Sequence, residues 1–170
     1  MTSSRPVLSG AIAAVALLTA GCGTTGAAPA GGLPTQAGGA REDASVGRLD
    51  PDLRAAVRAA MRAAREDGVR MEITSGWRSR EHQQRLYDEA VARYGSEDEA
   101  RRYVATPDSS AHVTGDAVDL GPTDALSWLS QHGADFGLCQ TFANEMWHYE
   151  LATTPGGRCP EMHLDGTGRP

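Results

Sequence analysis

The sequence predicts an α+β fold. Apolar residues recur at helical spacing in long segments, while shorter segments alternate as strands do. The two kinds are not interleaved as strand–helix–strand units of a parallel sheet. With 170 residues, one domain around a single hydrophobic core is the expectation. The predicted architecture is a small single domain, with helices packed on a short, mainly antiparallel sheet.

The elements follow in order. Asp50-Pro51-Asp52 opens a helix, because aspartate caps the free N–H groups and proline suits the first helical position. Leu53, Val57, Ala60, Met61 and Ala64 carry its apolar face as far as Asp67-Gly68, where glycine can end it. Val69 to Thr74 alternates apolar and polar residues, as a half-buried strand does. Ser79 caps a second helix that runs to about Tyr94, with Leu86, Ala90 and Val91 on one face. Ser96 to Tyr103 reads as a shorter, charged helix, and Thr106 to Ser110 as a loop. Ala117 to Leu120 is a short buried strand, Ala125 to Gln131 a helix closed by His132-Gly133, and Trp147 to Leu151 a strand. No internal repeat is visible.

The N-terminus reads as a targeting segment rather than as part of the fold. Arg5 precedes an apolar run from Val7 to Ala20, too short for a membrane-spanning helix of about 20 apolar residues. Thr19-Ala-Gly-Cys22 follows and resembles the bacterial lipobox, in which the cysteine is lipidated after cleavage. An ordinary secretory signal is the alternative. Residues 22–47 are rich in Gly, Ala, Thr and Pro without apolar periodicity, which suits a tether. The expected division is a lipoprotein signal peptide at 1–21, a flexible linker at 22–47 and a folded domain at 48–170.

The formal net charge is −6, and all sixteen basic residues are arginine. An acidic chain without a basic run argues against nucleic acid as a partner. If Cys22 is acylated, Cys139 and Cys159 remain as a pair in an oxidising, extracytoplasmic setting. Free thiols are the alternative. Zinc ligation by these cysteines is disfavoured, since they form no close Cys-x-x-Cys pair.

Two stretches carry the chemistry: Ser110-Ala-His-Val-Thr-Gly-Asp-Ala-Val-Asp119 and Glu145-Met-Trp-His148. Hydrolytic zinc is usually held by three protein ligands beside a separate acid/base group. His112, Asp119 and His148 fit the ligand roles, and Glu145 fits the base. His112 is expected in a glycine-containing loop and Asp119 at the far end of the next strand, with Gly115 letting the backbone bend so that both reach one point. His148 would arrive from an adjacent strand. Glu150 is the rival base, on the same strand face as His148. Each residue alone has a plainer reading, as a turn aspartate, a structural histidine or an exposed glutamate. His82, His132 and His163 take no role, neither His132 nor His163 having a partner at ligand spacing, and Trp77, Trp128 and Trp147 are core or pocket wall.

The two stretches, with Ser75-Gly-Trp-Arg-Ser79 and Gln83 upstream, resemble the VanY/VanX-type zinc D-alanyl-D-alanine peptidases across roughly residues 50 to 152. Tyrosine is usual in that family where Trp77 stands. The resemblance implies one Zn2+ and the release of terminal D-Ala from D-Ala-D-Ala stem peptides of peptidoglycan or its precursors. It also implies that Arg78 contacts substrate and stabilises the developing oxyanion, and that Ser110 and Gln83 hydrogen-bond substrate. Each has a rival: a surface arginine, a loop cap and an exposed helix position. Two rival functions stay open: a stem-peptide endopeptidase with the same metal core, and a catalytically silent cell-wall-binding module. The enzyme would work outside the cytoplasm, held to the membrane by its lipid.

Overall fold

The computed structural model describes residues 44–168. The expected signal peptide, Cys22 and the linker as far as residue 43 lie outside the described residues. The end of the linker corrects the expected boundary. Ala44–Gly47 form a helical turn, α1, whose Ser45 carbonyl accepts the N–H of Trp77 at 2.8 Å. Val46 packs against the core. The fold therefore includes residues ahead of 48.

Helix α2 spans Pro51–Glu66. Asp50 Oδ1 accepts from the N–H groups of Asp52 and Leu53 at 2.9 and 3.0 Å, a cap worth about 1 kcal/mol. Leu53, Val57, Ala60 and Ala64 form its buried stripe. The helix ends as expected at Asp67-Gly68, with Gly68 in the left-handed region at φ 77° and the Val69 N–H bonding back to the Ala64 carbonyl at 2.7 Å. The chain is thus still closing the helix at Val69, and strand β1 begins only at Glu72, running to Ser75. Ser79 caps α3, Arg80–Tyr94, through a bond from the His82 N–H. Gly95 ends α3 in the left-handed region, at φ 82°. The short α4 spans Glu97–Arg101, α5 Ala111–Thr114, β2 Ala117–Gly121 and α6 Thr123–His132. A 3-10 turn, β3 at Leu138–Gln140 and β4 at His148–Leu151 complete the framework.

The four strands form one sheet in the order β1-β2-β4-β3, every pairing antiparallel. Alternation gives the sheet two different faces. Val118 and Leu120 of β2 and Tyr149 of β4 join the core with α2, Trp128 and Leu129. The intervening residues, Asp119, His148 and Glu150, belong to the opposite face. Register places Asp119 directly across from His148. The two side chains are thereby brought side by side by strand pairing alone.

Strand β3 is absent from the sequence reading, because three residues are too few to show alternation. It carries Cys139, which is joined to Cys159 by a disulfide. The closed loop holds both Glu145 and His148. In the chain-entropy model a loop of this length contributes about 3 kcal/mol. Reduction of the purified protein is accordingly expected to lower the thermal midpoint by roughly 10 °C. Parallel melts with and without reductant measure this, and coincident curves would show that the bridge does not stabilise the fold.

Candidate metal centre

His112 sits on α5 rather than in an open loop, and Asp119 is the third of five residues in β2 rather than its end. Both corrections make the site more rigid. Gly115 terminates α5 at φ 89°, and a Cβ there would lie 2.6 Å from the Arg48 carbonyl oxygen. Only glycine allows this turn to pack so closely on the chain entering α2. The Arg78 N–H bonds the His112 carbonyl at 3.0 Å, tying α5 to the loop after β1.

The two imidazoles are oriented from behind. His112 Nδ1 lies 2.8 Å from the Gly76 carbonyl oxygen. A carbonyl only accepts, so Nδ1 carries the proton and Nε2 presents its lone pair. His148 Nε2 lies 2.7 Å from Glu150 Oε1, so by the same reasoning its Nδ1 faces inward bare. His112 Nε2 and His148 Nδ1 are 3.2 Å apart. Asp119 Oδ1 approaches them at 3.2 and 3.5 Å. It is buried, yet lacks a hydrogen-bond partner among the described residues.

Three electron-rich atoms facing one another in a buried place repel unless a cation lies between them. Ligands at 2.0–2.1 Å on a tetrahedral ion stand about 3.3 Å from one another. The observed spacings are those of one face of such a tetrahedron, and the donor set of two imidazoles and a carboxylate suits zinc. These three residues could therefore hold a metal ion.

Electrostatics agree. Burial pushes the Asp119 carboxyl upward, but His112, His148 and Arg78 outweigh it and hold the group well below the usual carboxylate range. Burial pushes His148 downward, yet Asp119 and Glu150 together raise it above the ordinary imidazole value. Asp119 is thereby kept as the carboxylate that metal ligation requires, and the carboxylates around His148 favour positive charge beside its ring.

Glu145 stands beside the triad, with Oε2 3.8 Å from His148 Nδ1. A backbone turn puts it there, since the His148 N–H bonds the Glu145 carbonyl at 3.0 Å. Glu150, the sequence-level rival, is instead on the outer nitrogen of His148 and also accepts from Thr141 Oγ1 at 3.2 Å. It orients the His148 ring. Glu150→Ala is expected to weaken metal affinity by roughly 10- to 100-fold, read by competition with a coloured chelator. Unchanged affinity would remove Glu150 from the site.

Arg78 is mostly buried and donates through Nη2 to Asp119 Oδ2 at 2.6 Å and through Nε to Ser75 Oγ at 3.0 Å. It thus steadies the Asp119 carboxylate from its outer oxygen while lining the cleft. Gln83 is buried, not an exposed helix residue, and donates to the Ala105 carbonyl at 2.8 Å. Ser110 lines the cleft at the start of α5 and makes no side-chain capping bond. Trp77 donates to the Val113 carbonyl, Trp128 is core, and Trp147, 44% exposed, forms a lip of the cleft.

The cleft above the triad encloses about 340 Å³. Its further walls, including Tyr94, Tyr103, Phe142 and Gly166, escaped the sequence reading. Phe142 packs edge-on against His148 and also against His163, which forms a β-bridge with it. No ligand-like spacing announces such contacts, because the C-terminal segment is brought there by long-range links: the disulfide, the bridge and the Arg102–Asp165 ion pair.

Residues 47–155 match the sequence family described as VanY: D-alanyl-D-alanine carboxypeptidase. The chain belongs to this family. The D-alanyl-D-alanine carboxypeptidase of Enterococcus faecalis (strain ATCC 700802 / V583) is 33% identical over 135 residues. The alignment covers 61% of this chain and 50% of the relative, so the chain spans about half the length of the curated relative it matches. Among solved structures, the D,D-pentapeptidase VanY from a VanB-type vancomycin resistance cassette, in complex with Zn(II), is similar at 29% identity and a TM-score of 0.56. The match covers 60% of this chain and 71% of that one. VanYB in complex with D-alanine-D-alanine matches at the same identity and TM-score, over 60% and 70% of the two chains. An L,D-carboxypeptidase, DacB from Streptococcus pneumoniae, matches at 31% identity and a TM-score of 0.50, over 60% and 65%.

Proposed function

We propose that this VanY-family chain is a zinc peptidase that releases terminal D-Ala from D-Ala-D-Ala stem peptides of peptidoglycan or its precursors. The observation that carries the reading is the buried triad of His112 Nε2, Asp119 Oδ1 and His148 Nδ1, spaced as a tetrahedral face at the floor of a cleft that also holds Glu145. Family membership, the zinc-bound relative and the relative in complex with D-Ala-D-Ala support the metal and the substrate.

Zinc at this place supplies a Lewis acid for the scissile carbonyl and acidifies a water molecule. Glu145 takes the proton of the attacking water as its oxygen bonds to the carbonyl carbon. It returns that proton to the leaving nitrogen as the C–N bond breaks. Arg78 keeps Asp119 ionised and aimed, and offers positive charge to the oxygen that becomes anionic. Ser110 and Gln83 line the same cleft and position the peptide. The enzyme works outside the cytoplasm, tethered by a lipid on Cys22, a reading supported by the lipobox-like Thr19-Ala-Gly-Cys22 and by the disulfide in the folded domain.

The similarity to DacB favours a second reading, in which the bond cut follows an L-centre of a shorter stem. Mass spectrometry of products from defined tri-, tetra- and pentapeptide stems separates the two. Loss of one D-Ala from the pentapeptide alone is the expected result. Loss from the tetrapeptide instead supports the second reading, and cleavage within the stem points to an endopeptidase. Binding without any product would leave a silent wall-binding module.

A further inference from the structure

The cleft does not end at the metal ligands. One face of α3 runs along it, through Gln83, Leu86, Ala90 and Arg93, the spacing of residues that share a helix face. Gln83 marks the metal end, since its Oε1 accepts from Arg78, which holds Asp119. Arg93 lies ten residues further on, about 15 Å along the axis at 1.5 Å per residue. There the wall is a stacked pair of tyrosines, Tyr94 and Tyr103, with ring centroids 4.4 Å apart. Both are partly exposed to the cleft mouth.

The charges at this outer arm are divided unequally. Arg102, beside Tyr103, is engaged by Glu99 and Asp165. Glu89 and Arg93 also line the cleft, but among the described residues neither side chain has an ion-pair or hydrogen-bond partner. Glutamate four residues ahead of arginine is the favourable order for pairing along a helix, and here that pair is not made. The cleft thus offers one carboxylate and one guanidinium, a helical turn apart, beside apolar and aromatic surface. Their complement is a group that carries an ammonium and a carboxylate together.

We propose that this outer arm is a substrate subsite, in which Glu89 and Arg93 select an upstream side chain that itself ends in both an ammonium and a carboxylate. The inference rests on the peptidase reading, which places the scissile bond at the triad. Two residues of extended chain back from that bond cover about 7 Å, and a long side chain reaches toward Arg93 across the rest. Leu86 and Ala90 contact its methylene portion, and Tyr94 and Tyr103 close the far side.

The test uses the zinc-loaded full chain and three pentapeptides ending in D-Ala-D-Ala, alike except at the third position. That position holds diaminopimelic acid, lysine or norleucine, which present both charges, the ammonium alone, or neither. D-Ala release gives kcat/KM, and binding to the Glu145→Gln variant gives Kd without turnover. The diaminopimelyl peptide is expected to be preferred over the norleucyl one by about fivefold to tenfold, as two partly screened ion pairs allow, and the ratio should shrink with added salt. Arg93→Ala should remove the advantage of diaminopimelic acid over lysine, and Glu89→Gln that of lysine over norleucine. Equal Kd values for the three peptides, or a preference unchanged in both variants, would overturn the subsite. Release of D-Ala without such a preference overturns the subsite and leaves the peptidase standing. A preference in binding without D-Ala release supports the subsite and sinks the peptidase reading.

Discussion

Replacing His148 with alanine is expected to abolish metal binding and turnover together. The ring supplies one corner of the ligand face and is held there by Glu150 at 2.7 Å. Its removal leaves His112 and Asp119 alone, and strands the Glu150 carboxylate beside an empty volume. Loss of an outer-shell partner already costs roughly 10- to 100-fold in metal affinity, and loss of a ligand must exceed that. The fold should survive, because β4 owes its register to backbone pairing with β2 and β3 and to buried Tyr149. Metal content by atomic emission, with circular dichroism as a check on folding, measures the effect. A folded variant that keeps one zinc and full activity would show that the ion, if any, sits elsewhere.

Much of this site was legible because its parts are local. Ser79, Asp50 and Pro51 state where helices begin through bonds made within three residues, so the boundaries of α2 and α3 follow from sequence. His112 and Asp119 are seven residues apart on consecutive elements, and their motif carries them together. The unreadable parts are those created by long-range pairing. Glu150 looked like a competing base because sequence places it on the His148 face. Which nitrogen of His148 it meets depends on the side-chain geometry across β2 and β4. The burial of Gln83 depends on the Ala105 carbonyl, 22 residues away. Strand β3 was invisible because its three residues become a strand only by pairing with β4. One edge of the cleft, at Gly166, comes from a C-terminal segment fastened by Cys159 and by the bridge of His163 to Phe142.

Glu145→Gln is expected to separate metal binding from chemistry. The three ligand atoms are complete without Glu145, whose Oε2 stands 3.8 Å from His148 Nδ1 and is no part of the 3.2–3.5 Å triad. Glutamine preserves the shape of the side chain, so the turn that leads into β4 keeps its backbone bonds from the Glu145 N–H to the Phe142 carbonyl and from the His148 N–H to the Glu145 carbonyl. What it loses is the ability to accept and carry a proton at neutral pH. Zinc content should therefore stay at one, and peptide should still bind beside Arg78 and Trp147. Turnover should fall by roughly 10²- to 10⁴-fold, the usual cost of removing an acid/base group. The decline should appear in kcat with little change in KM, as befits a group that acts in the transition state. Paired measurements of metal content and steady-state kinetics on the same preparation decide the matter. Near-normal turnover would mean that Glu145 is not the base. Loss of zinc would mean that it is a ligand, and Asp119, already held by Arg78 at 2.6 Å, would then have to be reassigned from ligand to partner of that arginine.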